Sequence, residues 1–206
     1  RSGEIGLFTK RADGSGGITP LRRTSAIILA DSWLADGRHL VVTDSQGTID
    51  IRVLDTTDGG TIAPLFVSDT AAEYAAALSP DERYVAYTTT ETGTDEVFVE
   101  TYPPGRGKWQ VSPAGGFSPV WARDGRELYF AVGDSLMVAD VDTKDVFRAG
   151  PPRLLFRGSY ALSLPTMRNY DVGPDGRFVM IKPKLVSTTP REMVVLDGWE
   201  AQDPSR

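Results

Sequence analysis

One short turn recurs four times along this 206-residue chain, and its recurrence limits the fold more than any other feature. The copies are Trp33-Leu34-Ala35-Asp36-Gly37-Arg38-His39-Leu40-Val41-Val42, Leu78-Ser79-Pro80-Asp81-Glu82-Arg83-Tyr84-Val85-Ala86-Tyr87, Trp121-Ala122-Arg123-Asp124-Gly125-Arg126-Glu127-Leu128-Tyr129-Phe130 and Val172-Gly173-Pro174-Asp175-Gly176-Arg177-Phe178-Val179-Met180-Ile181. In each, an apolar residue leads into a polar turn and a strand-forming run follows. The turn aspartates stand 45, 43 and 51 residues apart. A period of roughly 40–50 residues belongs to propeller blades or to helical arrays. The residues between the turns decide. Asp-Gly makes hairpins because Gly accepts positive φ without a Cβ clash, and Leu40-Val41-Val42 and Val85-Ala86-Tyr87 are apolar runs suited to strands. No repeat holds an amphipathic helix of useful length. The chain is therefore expected to be all-β, a β-propeller or propeller fragment of four-stranded antiparallel blades, with about four to five blades visible in one domain.

The repeats are expected at about 25–68, 69–115, 116–162 and 163–200. Their first, inner strands are Ile27–Trp33, Tyr74–Leu78, Phe117–Trp121 and Arg168–Val172. The alanine run before Leu78 has helical propensity, but its place in the repeat puts it on a strand. In the last repeat Arg177–Lys182 and Glu192–Trp199 are expected as second and third strands, with no fourth. The stretch 4–24 matches the back half of a blade: a strand at Glu4–Arg11, a glycine-rich turn, and a second strand from Ile18–Leu21. Two arrangements remain open. Ile18–Leu21 closes a small ring by completing the last blade, or the chain is an arc of a larger ring. The arc is preferred because closure leaves Glu4–Arg11 unused. The beginning, Arg1-Ser2-Gly3-Glu4, reads as the cut end of something longer. Open blade edges are expected to promote self-association.

Charge and composition exclude several classes. The net charge of −6 argues against a nucleic-acid partner, because phosphate-backbone affinity rests on Lys and Arg. There is no cysteine, hence no disulfide or thiolate metal site. No apolar run reaches the ~18 residues needed to span a membrane as a helix, so any membrane attachment is expected through a tether outside this chain. His39 is the only histidine, which rules out a His-based triad or a multi-His metal site, and it is expected to be exposed. No Gly-x-Ser-x-Gly elbow occurs. Gly14-Ser15-Gly16-Gly17 lacks the Lys and following helix of a phosphate loop. The acidic pair Asp95-Glu96 reads as solvated loop charge. The chain by itself is expected to be non-enzymatic, with no cofactor and no metal.

Position within the repeat sorts the remaining candidates. The turn aspartates are expected to cap their own hairpins, and Arg38, Arg83, Arg126 and Arg177 to make repeated surface or inter-blade contacts. Trp33, Leu78, Trp121 and Val172 are expected in the core between blades. Asp31, Tyr74, Phe117, Arg168, Asn169 and Tyr170 lie toward the starts of the inner strands. They are the candidate ligand-binding residues of one channel mouth, with Glu73 a weaker one, since they combine charge, hydrogen bonding and aromatic area.

Ser79-Pro80-Asp81-Glu82-Arg83-Tyr84-Val85-Ala86-Tyr87 resembles the WD40-like (PD40) repeat of TolB-type propellers. The stretch Asp95–Val99, Lys108–Ser112, Gly115-Gly116 and Pro119–Tyr129 is similar to the C-terminal propeller of bacterial eukaryotic-like serine/threonine protein kinases, as is the ending Tyr170–Phe178 with Met193–Trp199. The resemblance covers about residues 25–200. It implies a non-catalytic sensor or interaction domain on the extracytoplasmic, or periplasmic, side of a bacterial membrane, binding a protein, peptide or small ligand. The repeats are too few for the six or more blades usual there, and the chain contains no kinase domain. Two other readings stay open: the gating propeller of a prolyl-oligopeptidase-type serine hydrolase, and a TolB-like periplasmic scaffold.

Overall fold

Seventeen strands and no helix make up the described part of the chain, residues 5–162 and 166–183 of a computed structural model. The all-β expectation holds. Strands β1 (Ile5–Thr9) and β2 (Thr19–Thr24) pair only with each other. The first complete blade is β3 (Ile28–Trp33), β4 (His39–Asp44), β5 (Asp50–Asp55) and β6 (Ile62–Phe66), antiparallel and in chain order. The second is β7 (Glu73–Leu78), β8 (Tyr84–Thr89), β9 (Glu96–Thr101) and β10 (Lys108–Gln110). The third is β11 (Phe117–Trp121), β12 (Glu127–Val132), β13 (Ser135–Asp142) and β15 (Arg153–Arg157), with the two-residue β14 (Arg148–Ala149) against the end of β13. A last pair, β16 (Tyr170–Val172) and β17 (Phe178–Met180), follows. The alanine run is strand β7, as its place in the repeat requires. Strand β2 has β1 as its partner and sends Leu21 into the cluster of Ile28, Leu40, Val42 and Leu54 on the first blade. Closure of the last blade by Ile18–Leu21 is thus not formed among the described residues. The third strand expected at Glu192–Trp199 lies outside them.

The turns work as the Asp-Gly-Arg pattern predicts. Oδ1 of Asp36, Asp81, Asp124 and Asp175 accepts the backbone N–H of Arg38, Arg83, Arg126 and Arg177 respectively, at 2.8–3.1 Å. Gly37, Gly125 and Gly176 take φ of 63°, 71° and 78° in these turns. Glu82 holds the same position at φ 54°. A non-glycine residue there costs roughly 1–2 kcal/mol, but its carboxylate accepts the backbone N–H of Ala35 in the preceding turn. The strained residue links two blades. Arg83 likewise donates to the carbonyls of Thr143, Lys144 and Asp145 in the third blade. Arg38 instead pairs with Asp55 of its own blade, and Arg177 with Asp175. His39, expected to be exposed, is half-buried and hydrogen-bonded to Asp36 at 2.6 Å.

Apolar side chains between consecutive sheets form the core. One cluster joins the first and second blades through Val41, Ile51, Phe66, Val85 and Tyr87, with Phe66 and Tyr87 stacked at 4.5 Å. Another joins the second and third through Tyr84, Val97, Trp121, Phe130 and Phe147. Phe147 comes from the long Asp142–Pro152 connection. It is fully buried between Tyr84, Trp109 and Trp121, which explains why that connection does more than link two strands. A third cluster joins the third blade to β16–β17.

The position preceding each turn is not uniform. Trp121 is 5% exposed and donates its indole N–H to the Ala77 carbonyl of the preceding blade at 2.9 Å. Val172 is buried and Leu78 half-buried. Trp33, expected in the core, is 52% exposed. The reason is positional: Trp121 rests on β7 and β8, and among the described residues no such pair stands before β3. The Asp95-Glu96 pair also departs from expectation. Glu96 is buried and accepts from Ser112 Oγ at 2.5 Å and the Gly115 N–H at 3.1 Å, and Asp95 accepts the Tyr74 hydroxyl.

Replacing Trp121 by Ala removes a buried aromatic and strands a carbonyl, and should cost about 3–5 kcal/mol. Trp33→Ala should cost under about 1 kcal/mol in the same chain. Urea unfolding of both variants checks the contrast.

Candidate functional site at the channel mouth

The first strands β3, β7, β11 and β16 are neighbours in sequence around one axis. A bulge shapes each of the first three: the register shifts between Ala30 and Ser32, Tyr74 and Ala77, and Phe117 and Val120. In two of them the bulge carries a residue at positive φ, Ala75 at 55° and Ser118 at 54°. That conformation turns a backbone N–H toward the preceding blade. Ala75 N–H donates to Thr43 Oγ1 at 3.2 Å, and Ser118 N–H to Thr88 Oγ1 at 3.0 Å. Thr43 and Thr88 hold the same place on their second strands, so the contact is a repeated latch.

Thr43 also ties in Asp31, donating its hydroxyl to Asp31 Oδ2 at 2.7 Å. Arg168, just before β16, donates from Nη2 to the carbonyls of Asp31 and Ala76, at 3.0 and 3.2 Å. One guanidinium thus holds the backbone of the first and second blades from the start of the last. Protein atoms close around the Asp31 carboxyl, and this burial pushes its pKa up to about 7, against the Thr43 hydrogen bond and the Arg168 charge, which act downward.

The other candidates separate from this pair. Tyr74 is buried, and its hydroxyl is committed to Asp95. Tyr170 is buried and donates to the Ser118 carbonyl at 2.7 Å, serving the seam between the third blade and β16. Phe117 packs against the core cluster of that seam. Asn169 donates to the Ala161 carbonyl at 2.8 Å. Tyr74 and Tyr170 thus present no open surface: the Tyr170 ring packs in the cluster between the third blade and β16, and Tyr74 is buried within the second blade. Glu73 is buried as well, with Oε1 accepting from Thr89 at 3.4 Å and Oε2 without a protein partner. Burial first, then the charges of Asp50 and Glu91, push its pKa up to about 7, while Thr89 and Lys108 pull the other way.

The open mouth lies at the opposite ends of the inner strands. A cavity of about 440 Å³ is bounded there by Ser32 and Trp33 at the end of β3, Ser79 and Glu82 after β7, Arg123 after β11, and Arg168 and Asp171 of the last repeat. Arg123 Nη2 stands 4.0 Å from Asp171 Oδ2, both exposed. Trp33, Arg123 and Asp171 are exposed there and Glu82 is half-buried, whereas Ser79 is buried and bonded to Asp81 and the Tyr84 N–H, and Ser32 and Arg168 donate to the Ala76 carbonyl. Of the residues expected from sequence, only Arg168 borders it. Ser79, Glu82 and Arg123 were visible in the sequence as members of the repeated turn, which is the signal that could have located them. Among the described residues no group of metal-ligating side chains converges.

Asp31 and Glu73 both have native pKa values above those of the unfolded chain. Their favourable contribution is complete below about pH 4, and is lost as pH rises through about 7. Glu73→Gln should leave stability unchanged near pH 4 and raise it by about 1–3 kcal/mol at pH 8. Asp31→Asn should act in the same direction. Urea unfolding at pH 4, 6 and 8 reads both.

No family model matches the chain, and no curated protein matches it by sequence. Solved structures do. TolB from Acinetobacter baumannii superposes with a TM-score of 0.60 at 17% identity, over 82% of this chain and 41% of that one. A TolB protein of Agrobacterium tumefaciens gives 0.58 at 18% identity, over 81% and 61%. Prolyl oligopeptidase B from Galerina marginata gives 0.50 at 10% identity, over 84% and 26%. The chain spans less than two thirds of each of these proteins. At such identities the likeness is one of fold, and the fold they share with this chain is the β-propeller.

Proposed function

We propose that this domain is a non-catalytic binding or sensory module whose channel mouth receives a protein, peptide or small ligand. The observation that carries the reading is the mouth itself: the ends of three first strands and two residues of the last repeat border one open cavity that carries both signs of charge and an exposed indole. Such a mixture orients a ligand by hydrogen bonds and ion pairs while the apolar face supplies contact area. The resemblance to kinase-borne propellers extends this to an extracytoplasmic sensor held to a bacterial membrane by a tether outside the chain. A scaffold role of the TolB-like kind uses the same surface. The likeness to prolyl oligopeptidase B supports a second reading, a gating propeller over a hydrolase domain carried elsewhere.

Selection of a random peptide pool on the chain tests the binding reading, with the Arg123→Ala/Arg168→Ala double variant as counter-target. The expected result is a set of related peptides that lose roughly tenfold or more in affinity for the variant. Peptides that bind both proteins equally, or no enrichment at all, would remove the mouth as the binding site.

A further inference from the structure

The charged residues at the mouth differ in how far the protein itself satisfies them. Asp171 Oδ1 accepts the Val172 N–H, and its Oδ2 stands 4.0 Å from Arg123. Glu82 accepts the Ala35 N–H. Arg168 donates from Nη2 alone, to the Asp31 and Ala76 carbonyls, and makes no ion pair among the described residues. The N–H groups of its Nε and Nη1 have no acceptor among them either. A guanidinium bonds an oxyanion about twice as strongly as a neutral carbonyl. The carboxyl that the Arg168 charge reaches is the side chain of Asp31, the residue whose carbonyl it holds. Strands β1, β4 and β7 pack on β3. β1 carries no ionisable side chain. β4 faces Asp31 with the Thr43 hydroxyl, while its ends His39 and Asp44 are engaged by Asp36 and Arg52. β7 faces it with the Ala76 backbone, while Glu73 and Tyr74 bond to Thr89 and Asp95. Arg168 is thus the charged group that faces Asp31.

Taking the mouth as the ligand site, as proposed above, we propose that it holds a carboxylate group of its ligand on Arg168, and that Asp31 is the internal counter-charge that weakens this hold when it ionises. With Asp31 neutral, the guanidinium charge is left to the ligand. With Asp31 ionised, two carboxylates share one guanidinium and repel each other. Burial keeps Asp31 protonated up to about pH 7, against the Thr43 hydroxyl, the Arg168 charge and the Ala76 amide, which favour the ionised form. The sign follows. Affinity for a carboxylate is highest where Asp31 is protonated and falls as pH rises through about 7. A cationic ligand would show the opposite dependence. By reciprocity, a bound carboxylate makes Asp31 harder to ionise.

Benzoate is the probe, because its carboxylate is ionised throughout the range needed. Its binding is followed at constant ionic strength on the Cζ carbon resonance of Arg168, at about pH 5.5 and about pH 8.5. The chain is compared with Asp31→Asn, which keeps an oxygen for the Thr43 hydroxyl, and with Arg168→Ala. The chain should bind benzoate roughly threefold or more weakly at the higher pH. Asp31→Asn should bind equally at both, as tightly as the chain does at the lower. Saturating benzoate should also raise the titration midpoint of the Asp31 carboxyl carbon by about half a pH unit or more. That midpoint is read on the unmutated chain, so it stands even if Asp31→Asn fails to fold. A midpoint that benzoate does not move would overturn the proposal, as would a pH dependence kept in full by folded Asp31→Asn. So would benzoate binding that Arg168→Ala retains, or none at Arg168 at either pH. Peptides selected on the mouth would survive each of these results, so loss of the carboxylate hold and loss of the binding site are separate outcomes.

Discussion

The contact on which the rest of the structure depends is the seam between consecutive blades. A four-stranded sheet of this size cannot bury an apolar face alone, so each blade is stable only on its neighbour. Two features set the seam here. Aromatic and branched side chains fill it, with Phe147 wedged between Tyr84, Trp109 and Trp121. A buried polar latch then fixes its register, because the bulged amides of Ala75 and Ser118 find the hydroxyls of Thr43 and Thr88. Left-handed backbone at a non-glycine residue is unfavourable, yet a buried N–H without an acceptor would be worse. The bulge and the threonine therefore hold each other in place. In the third blade Ala131 stands where threonine stands in the other two, and the seam to β16 uses the Tyr170 hydroxyl on the Ser118 carbonyl instead.

The seam also decides what the channel can present. Bulging the first strands directs Asp31 onto Thr43 and leaves the Asp31 and Ala76 carbonyls facing Arg168. These groups are already bonded to one another, and Arg168 among them also borders the cavity. Around the cavity the turns fan out, and Glu82 and Arg123 border it. Polarity at the mouth is a by-product of turn chemistry, since Asp, Gly, Ser and Arg are there to make hairpins before they are available to a ligand.

Much of the fold was legible in the sequence because hairpin turns are local. Asp36, Asp81, Asp124 and Asp175 announce their turns, and β11 falls on the residues expected for it, Phe117 to Trp121. The open mouth was less legible. Period-two alternation says which side chains share a face of a strand, but not which end of a ring is plugged. Tyr74 and Tyr170 look like recognition residues by type and are core by position. Glu96 looks like solvated charge, and is a buried acceptor for Ser112 and Gly115.

What the sequence by itself determined is the repeat: its period, its hairpins and its strand order, all of which depend on residues close together along the chain. What only the tertiary structure decided is which copies of an equivalent position are covered. Trp33 and Trp121 occupy the same place in the repeat and differ tenfold in exposure, 52% against 5%. Burial in a propeller is conferred by the neighbouring blade, and a residue's own repeat carries no information about whether that neighbour is there.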